Sequence, residues 1–299
     1  MAVQGTDPLP RKAPVLLNYS DRFLGWLENA TLGQKTKTYH HTGLRLLNTT
    51  SIAGMRLDRI TADDVEALRF PKSASNANCA LRTLRRMLHK AEEWKLIYKT
   101  PKFRLVKEHG RSLILDADAE MKLIAAAAAC RWRKGCFETF RDVVILMRDS
   151  GMRNERELYR IRIENIDWTG KFVFVPDSKT PGGRRRVPMS DRVLALLRER
   201  CQGRSEGWVF PSKRSRSGHL TTVGKLFRKA RDQAGLSKDS VLYCGRHDYG
   251  SRVLKETGNL AAVMKTMGHK DVRTAMRYQH PELDIVREAL NHPRSMMIQ

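Results

Sequence analysis

A chain of 299 residues has room for two domains with separate cores, and a hydrophobic content of 41% is ordinary for a globular protein. The formal net charge of +24 is spread over both halves, which favours a polyanionic partner, nucleic acid above all, over a merely solvated, repulsive surface. The longest apolar run, Leu123 to Cys130, is alanine-rich and far short of a membrane span, and no charged-then-apolar secretion pattern opens the sequence, so a cytoplasmic protein with no membrane partner is expected. Cys79, Cys130, Cys136, Cys201 and Cys244 are odd in number and form no Cys-x-x-Cys pair. They read as reduced thiols, and no metal-ligand spacing stands out.

Residues 1–14 hold three prolines and no apolar period, and are expected to be a mobile leader. A helical domain follows over 15–105. Thr61-Ala62-Asp63-Asp64 has the form of a capping box. Leu81, Leu84, Leu88 and Ala91 are spaced as one apolar stripe of a helix, with Arg82, Arg85, Arg86 and Lys90 largely off it. These four cations, with Lys35 and Lys37, are candidates for phosphate contact; a plain solvated face is the alternative.

Residues 106–111 are basic and poor in apolar anchors, as a linker is, and a second domain is expected over 112–299. Helices are predicted over Asp116–Ala129, Phe137–Arg148, Asp191–Arg200, Thr222–Ala234, Tyr249–Glu256 and Leu260–Met267. Phe172–Val175 reads as a strand, Pro181-Gly182-Gly183 as a turn, and Arg184–Pro188 as the returning strand. The fold class expected is mainly α with a small antiparallel β-sheet. Arg184, Arg185 and Arg186 join the candidate DNA contacts.

The chemistry gathers near the C-terminus. Gly268-His269 precedes Tyr278 by nine residues, and Arg246-His247 lies upstream. A tyrosine among cations in a basic chain suits covalent attack on a phosphodiester. Such a diester is an anion that gains charge on its non-bridging oxygens in the transition state. Guanidiniums hold those oxygens in bidentate geometry and stay charged at any working pH. A free phenol has a pKa near 10, so full ionisation at neutral pH costs roughly 4 kcal/mol, part of which neighbouring cations or a base must supply. The sequence has no Gly-x-x-x-x-Gly-Lys-Ser/Thr loop, His-Glu-x-x-His or Gly-x-Ser-x-Gly.

Asp149-Ser150-Gly151-Met152-Arg153, Glu157-Leu158, Ile166-Asp167-Trp168, Lys179, Arg246-His247, Gly268-His269 and Tyr278 follow one another in an order that resembles the tyrosine recombinase, or phage integrase, family. The resemblance covers about residues 112–290, and Ile60-Thr61-Ala62-Asp63-Asp64-Val65 with the Leu81–Leu88 helix is similar to that family's helical core-binding domain. The resemblance implies a mixed α+β catalytic domain that closes with the first domain as a C-shaped clamp on double-stranded DNA. It implies Tyr278 as nucleophile forming a 3′-phosphotyrosine, Arg153 and Arg246 on the phosphate, His269 as hydrogen-bonding or proton-moving partner, and Lys179 protonating the leaving 5′ oxygen. It further implies no metal and no other cofactor, a homotetramer on two DNA sites joined through a C-terminal helix over Pro281–Leu290, and accessory DNA-bending or directionality factors. Arg156 is an alternative to Arg153, and Lys171 lies near enough to compete with Lys179.

Two departures stand out. Tyr243 occupies the position where the family has histidine in His-x-x-Arg, and the acidic residue expected three places after the first arginine is found at four, as Glu157. Glu157 is expected to orient the active-site groups. A type IB topoisomerase-like strand transferase and a catalytically impaired DNA-binding protein are the rival readings.

Overall fold

The computed structural model describes residues 12–70, 73–108, 113–176 and 184–278. Lys179 and the segment Pro281–Leu290 lie outside these. The chain divides into two compact units, Met1–Gly110 and Arg111–Gln299.

The first unit is helical: α1 (Leu16–Asn29), α2 (Gln34–Leu47), α3 (Ala62–Glu66) and α4 (Ala74–Glu93). Leu16, Tyr19, Phe23 and Leu27 line the inner face of α1, and Leu81, Leu84, Leu88 and Ala91 that of α4, each at three- and four-residue spacing. The expected capping box starts α3, with Thr61 Oγ1 accepting from the Asp64 N–H and the Asp64 carboxylate accepting from the Thr61 N–H. Helices α2 and α4 meet at Gly43, where an added Cβ would lie 2.7 Å from the Cys79 carbonyl oxygen.

The second unit follows the order α5 (Ala117–Ala128), α6 (Cys136–Ser150), β1 (Ile166–Asp167), β2 (Phe172–Val175), β3 (Arg185–Pro188), α7 (Asp191–Cys201), α8 (Gly224–Gln233), α9 (Cys244–Thr257), α10 (Leu260–Met267) and α11 (Val272–Ala275). The strands form one antiparallel sheet in the order β1-β2-β3, with Val173 opposite Val187 and Val175 opposite Arg185. This is a mainly helical protein with a small antiparallel sheet, as the pattern predicts.

The two-residue strand β1 is too short to leave a periodic signal and was not among the expected elements. Helix α9 starts at Cys244, five residues before the expected Tyr249. The glycine at 245 conceals the start, since Gly lowers helix propensity, but it is the residue that sits against the Arg148 backbone of α6. The main core takes Val143, Val144, Leu146 and Met147 from α6, Val173 and Val187 from the sheet, and Leu197 from α7. A small satellite cluster of Tyr249, Val263, Met267 and Tyr278 packs beside it. All five cysteines are free thiols. Among the described residues no helix is long and apolar enough to cross a membrane.

Candidate active site

Helix α6 stops at Gly151, whose φ of 59° is left-handed and favours glycine. A side chain there would also strike the Tyr249 ring, whose Cγ would lie 2.8 Å from a Cβ. The turn leaves the Gly151 carbonyl for Arg246 and sends Arg153 towards Glu157. Arg153 donates from Nη1 to Glu157 Oε1 at 2.6 Å and from its backbone N–H to Oε2 at 2.9 Å. The extra residue between Arg153 and its acid is thus taken up in the turn, and Glu157 meets Arg153.

Arg246 stands in the first turn of α9 and is fully buried. It donates to the Gly151 carbonyl, to the Met267 carbonyl at 2.7 Å and to His269 Nε2 at 2.9 Å, while its Nε–H has no partner. None of these acceptors is a carboxylate. Burial, then the charge of Arg153, depresses its pKa from the usual guanidinium value. His269 follows Gly268, whose left-handed φ of 66° ends α10. With Nε2 accepting from Arg246, its Nδ1 carries the proton, and that buried Nδ1 has no partner. Burial and then the Arg246, Arg153, Arg185 and Arg277 charges push the imidazole down to about 4, so it is neutral at pH 7.

Tyr278 packs its ring parallel to that of His269, centroids 5.9 Å apart and 6° between planes. The ring rests on Gly250 of α9, where a Cβ would come within 2.8 Å of it. Burial raises the phenol pKa, and the Arg246 charge opposes that rise without cancelling it. His247 stands 5.9 Å from the Tyr278 ring and 5.3 Å from that of Tyr243. Its pKa is lowered by burial and then by Arg246 and Arg277, so it too is neutral. Tyr243 is partly exposed at the mouth of this cluster.

Of the residues singled out from sequence, Arg153, Glu157, Arg246, His269 and Tyr278 therefore come together, with Tyr243 linked through His247; Lys179 is outside the described residues. Two participants escaped the sequence reading. His247 was seen only as a neighbour of Arg246. Arg185, expected with Arg184 and Arg186 to face DNA, is instead buried against Glu157. The strand period could have found it, since Arg185 and Val187 share the inward face of β3 while Arg184 and Arg186 are exposed.

Three of the cations in the first unit also differ from expectation. Lys90 is buried, paired with Glu93 at 2.7 Å and lying over the Trp26 ring. Arg85 donates to the Phe103 carbonyl at 2.7 Å, and Lys37 to that of Glu28. Lysine and arginine have long apolar stems, so an off-stripe position still allows burial. Lys35, Arg82 and Arg86 are exposed. Among the described residues no group of three or more His, Cys, Asp or Glu converges as a metal site would require.

The phage integrase family model matches residues 114–284. Tyrosine recombinase XerC of Xylella fastidiosa is 27% identical over 161 residues, 52% of this chain and 53% of that protein. Tyrosine recombinase XerA of Saccharolobus solfataricus is 27% identical over 146 residues, 48% of this chain and 47% of that one. The matches thus span about half the length of these curated relatives. Among solved structures, the Tn1549 transposon integrase in complex with a circular intermediate DNA is similar at a TM-score of 0.73 and 16% identity, covering 93% of this chain and 99% of that one. A lambda integrase dimer bound to a COC′ core site gives 0.69 and 21%, covering 88% and 94%. At such identities the likeness speaks for the fold, whereas the family model takes in the gathered arginines, histidine and tyrosine together; this chain belongs to the phage integrase family.

Proposed function

We propose that this protein is a site-specific DNA recombinase that cuts and rejoins duplex DNA through a 3′-phosphotyrosine at Tyr278. The observation that carries the reading is Arg246: a guanidinium removed from water, bonded only to neutral acceptors, whose Nε–H has no partner, and which bonds a histidine, His269, whose own Nδ1–H has none either. Burying a charge without a counter-ion is costly, and a phosphate is the anion whose arrival offsets that cost. The fold sets this charge in place before substrate arrives, which is how preorganised stabilisation works. The family's solved members named above are described as DNA complexes, which agrees with a DNA substrate.

In this reading Arg153 and Arg246 hold the non-bridging oxygens. The Tyr278 oxygen bonds to phosphorus as the bond to the 5′ oxygen breaks, and the phenolic proton leaves during attack. The neutral imidazole of His247, its ring 5.9 Å from that of Tyr278, is the candidate acceptor for that proton, while His269, its Nε2 taken by Arg246, donates from Nδ1. By the family resemblance Lys179 protonates the departing 5′ oxygen. The phosphotyrosine keeps the energy of the broken bond, so resealing needs no nucleotide. Four protomers on two sites, joined through the Pro281–Leu290 segment and assisted by accessory factors, complete the proposal.

The test is incubation with a nicked suicide duplex carrying the target site, read on a denaturing gel. The wild type should form a covalent adduct that Tyr278→Phe cannot form. Binding without an adduct would leave a DNA-binding protein only, and an adduct without joining of two separate sites would favour a topoisomerase.

A further inference from the structure

Three consecutive carbonyls end α10, at Thr266, Met267 and Gly268, and each accepts from a different arginine. Arg185 Nε reaches Thr266 at 2.5 Å, Arg246 Nη2 reaches Met267 at 2.7 Å, and Arg153 Nη2 reaches Gly268 at 3.2 Å. These are the carbonyls that a helix leaves unpaired at its C-terminus, where its dipole favours cations. Two of the three arginines are those expected on the phosphate. The third, Arg185, has a side chain only 3% exposed and also donates from Nη2 to Glu157 Oε2 at 2.8 Å. That oxygen also accepts the backbone N–H of Arg153. Arg185 Nη1 would lie 3.1 Å from a Cβ at position 268, so it fills the space against the residue preceding His269.

We infer that Arg185 is a positioning residue for DNA cleavage. It acts through Glu157 and the end of α10 to fix Arg153 and His269, and it makes no contact with DNA. The inference rests on the recombinase reading above. Glu157 is buried, and burial alone would raise its pKa; the bonds from Arg185 and Arg153 outweigh this and hold it ionised. Without Arg185, Glu157 Oε2 keeps only the bond from the Arg153 backbone N–H, the Thr266 carbonyl loses this donor, and the two acceptors of the Arg153 guanidinium, Glu157 and the end of α10, are no longer tied to each other by a side chain. A misplacement of about 1 Å in such a site costs on the order of 100-fold in rate.

The test measures single-turnover adduct formation on the suicide duplex alongside DNA affinity across a salt series, for the wild type, Arg185→Gln, Arg185→Lys, Glu157→Gln and the Glu157→Gln/Arg185→Gln double variant. Arg185→Gln should cleave about 100-fold more slowly at unchanged affinity and unchanged salt slope. Arg185→Lys, which keeps the charge but cannot serve both acceptors as a fork does, should recover part of the rate. The double variant should be no slower than the worse single one, because the two residues act as a unit.

A salt slope shallower by about one in Arg185→Gln would identify a phosphate contact and overturn the inference. Wild-type cleavage in both single variants would do the same, as would additive costs in the double variant. If Arg185→Gln does not fold, as melting would reveal, the partial rescue by Arg185→Lys and its salt slope decide on the same criteria. Failure of the wild type itself to form an adduct overturns the recombinase reading and this inference with it, which separates that failure from the others.

Discussion

Arg246 is a cation held where water cannot reach it, and His269 beside it is the neutral counterpart. The imidazole titrates at about 4 in the folded chain and near 6.5 in the unfolded one. Between those values the unfolded chain binds more protons, so this group adds stability above pH 6.5 that is lost as the pH falls towards 4. The imidazole is partly exposed, so the shift must be discounted for solvent screening, to about 1–2 kcal/mol. Chemical denaturation at pH 7.5 and pH 5 should show the wild type losing about 1 kcal/mol more than His269→Gln. Equal losses in the two proteins would contradict the assigned environment. At this scale Arg153, Arg246, His269 and Tyr278 were legible because each sits in a short motif. Arg185 was hidden inside Arg184-Arg185-Arg186, where three identical side chains mask the strand period that turns the middle one inward.

Among the elements, the pair α2 and α4 depends on the absence of a side chain at Gly43. An Ala there gains about 1 kcal/mol in helix propensity but forces its Cβ against the Cys79 carbonyl and the Thr83 side chain. Backbone cannot yield as a flexible side chain can, and overpacking of this kind costs about 1–3 kcal/mol. Gly43→Ala should therefore lower Tm by several degrees; a rise, as expected for an isolated helix, would show that the contact is not tight. The long helices and strands β2 and β3 were legible from periodicity, and α10 matches its expected span of Leu260–Met267. The start of α9 and the strand β1 were not, since one begins around a glycine kept for packing and the other is two residues long. In both cases tertiary contact overrode the local signal.

Across the whole molecule, the +24 charge sets how the protein meets its substrate. Several of the cations assigned to DNA from sequence are engaged internally, Lys90, Arg85 and Arg185 among them, yet Arg82, Arg86, Arg184 and Arg186 remain exposed to some degree or fully. If binding uses about six to ten phosphate contacts per protomer, affinity should fall by roughly 10³–10⁵ between 50 and 200 mM salt, which fluorescence anisotropy on a labelled duplex would measure. A flat response would sink the recombinase reading at this scale, whatever the chemistry of Tyr278.

The triple grip on the end of α10 also bears on safety. Arg153, Arg185 and Arg246 arrive from three separate stretches of chain, and each loses one acceptor at once if the last turn of that helix frays. Within the proposed reaction, one small opening event would then loosen all three arginines together. A subunit loosened there would have its whole cationic cradle out of register at the same moment.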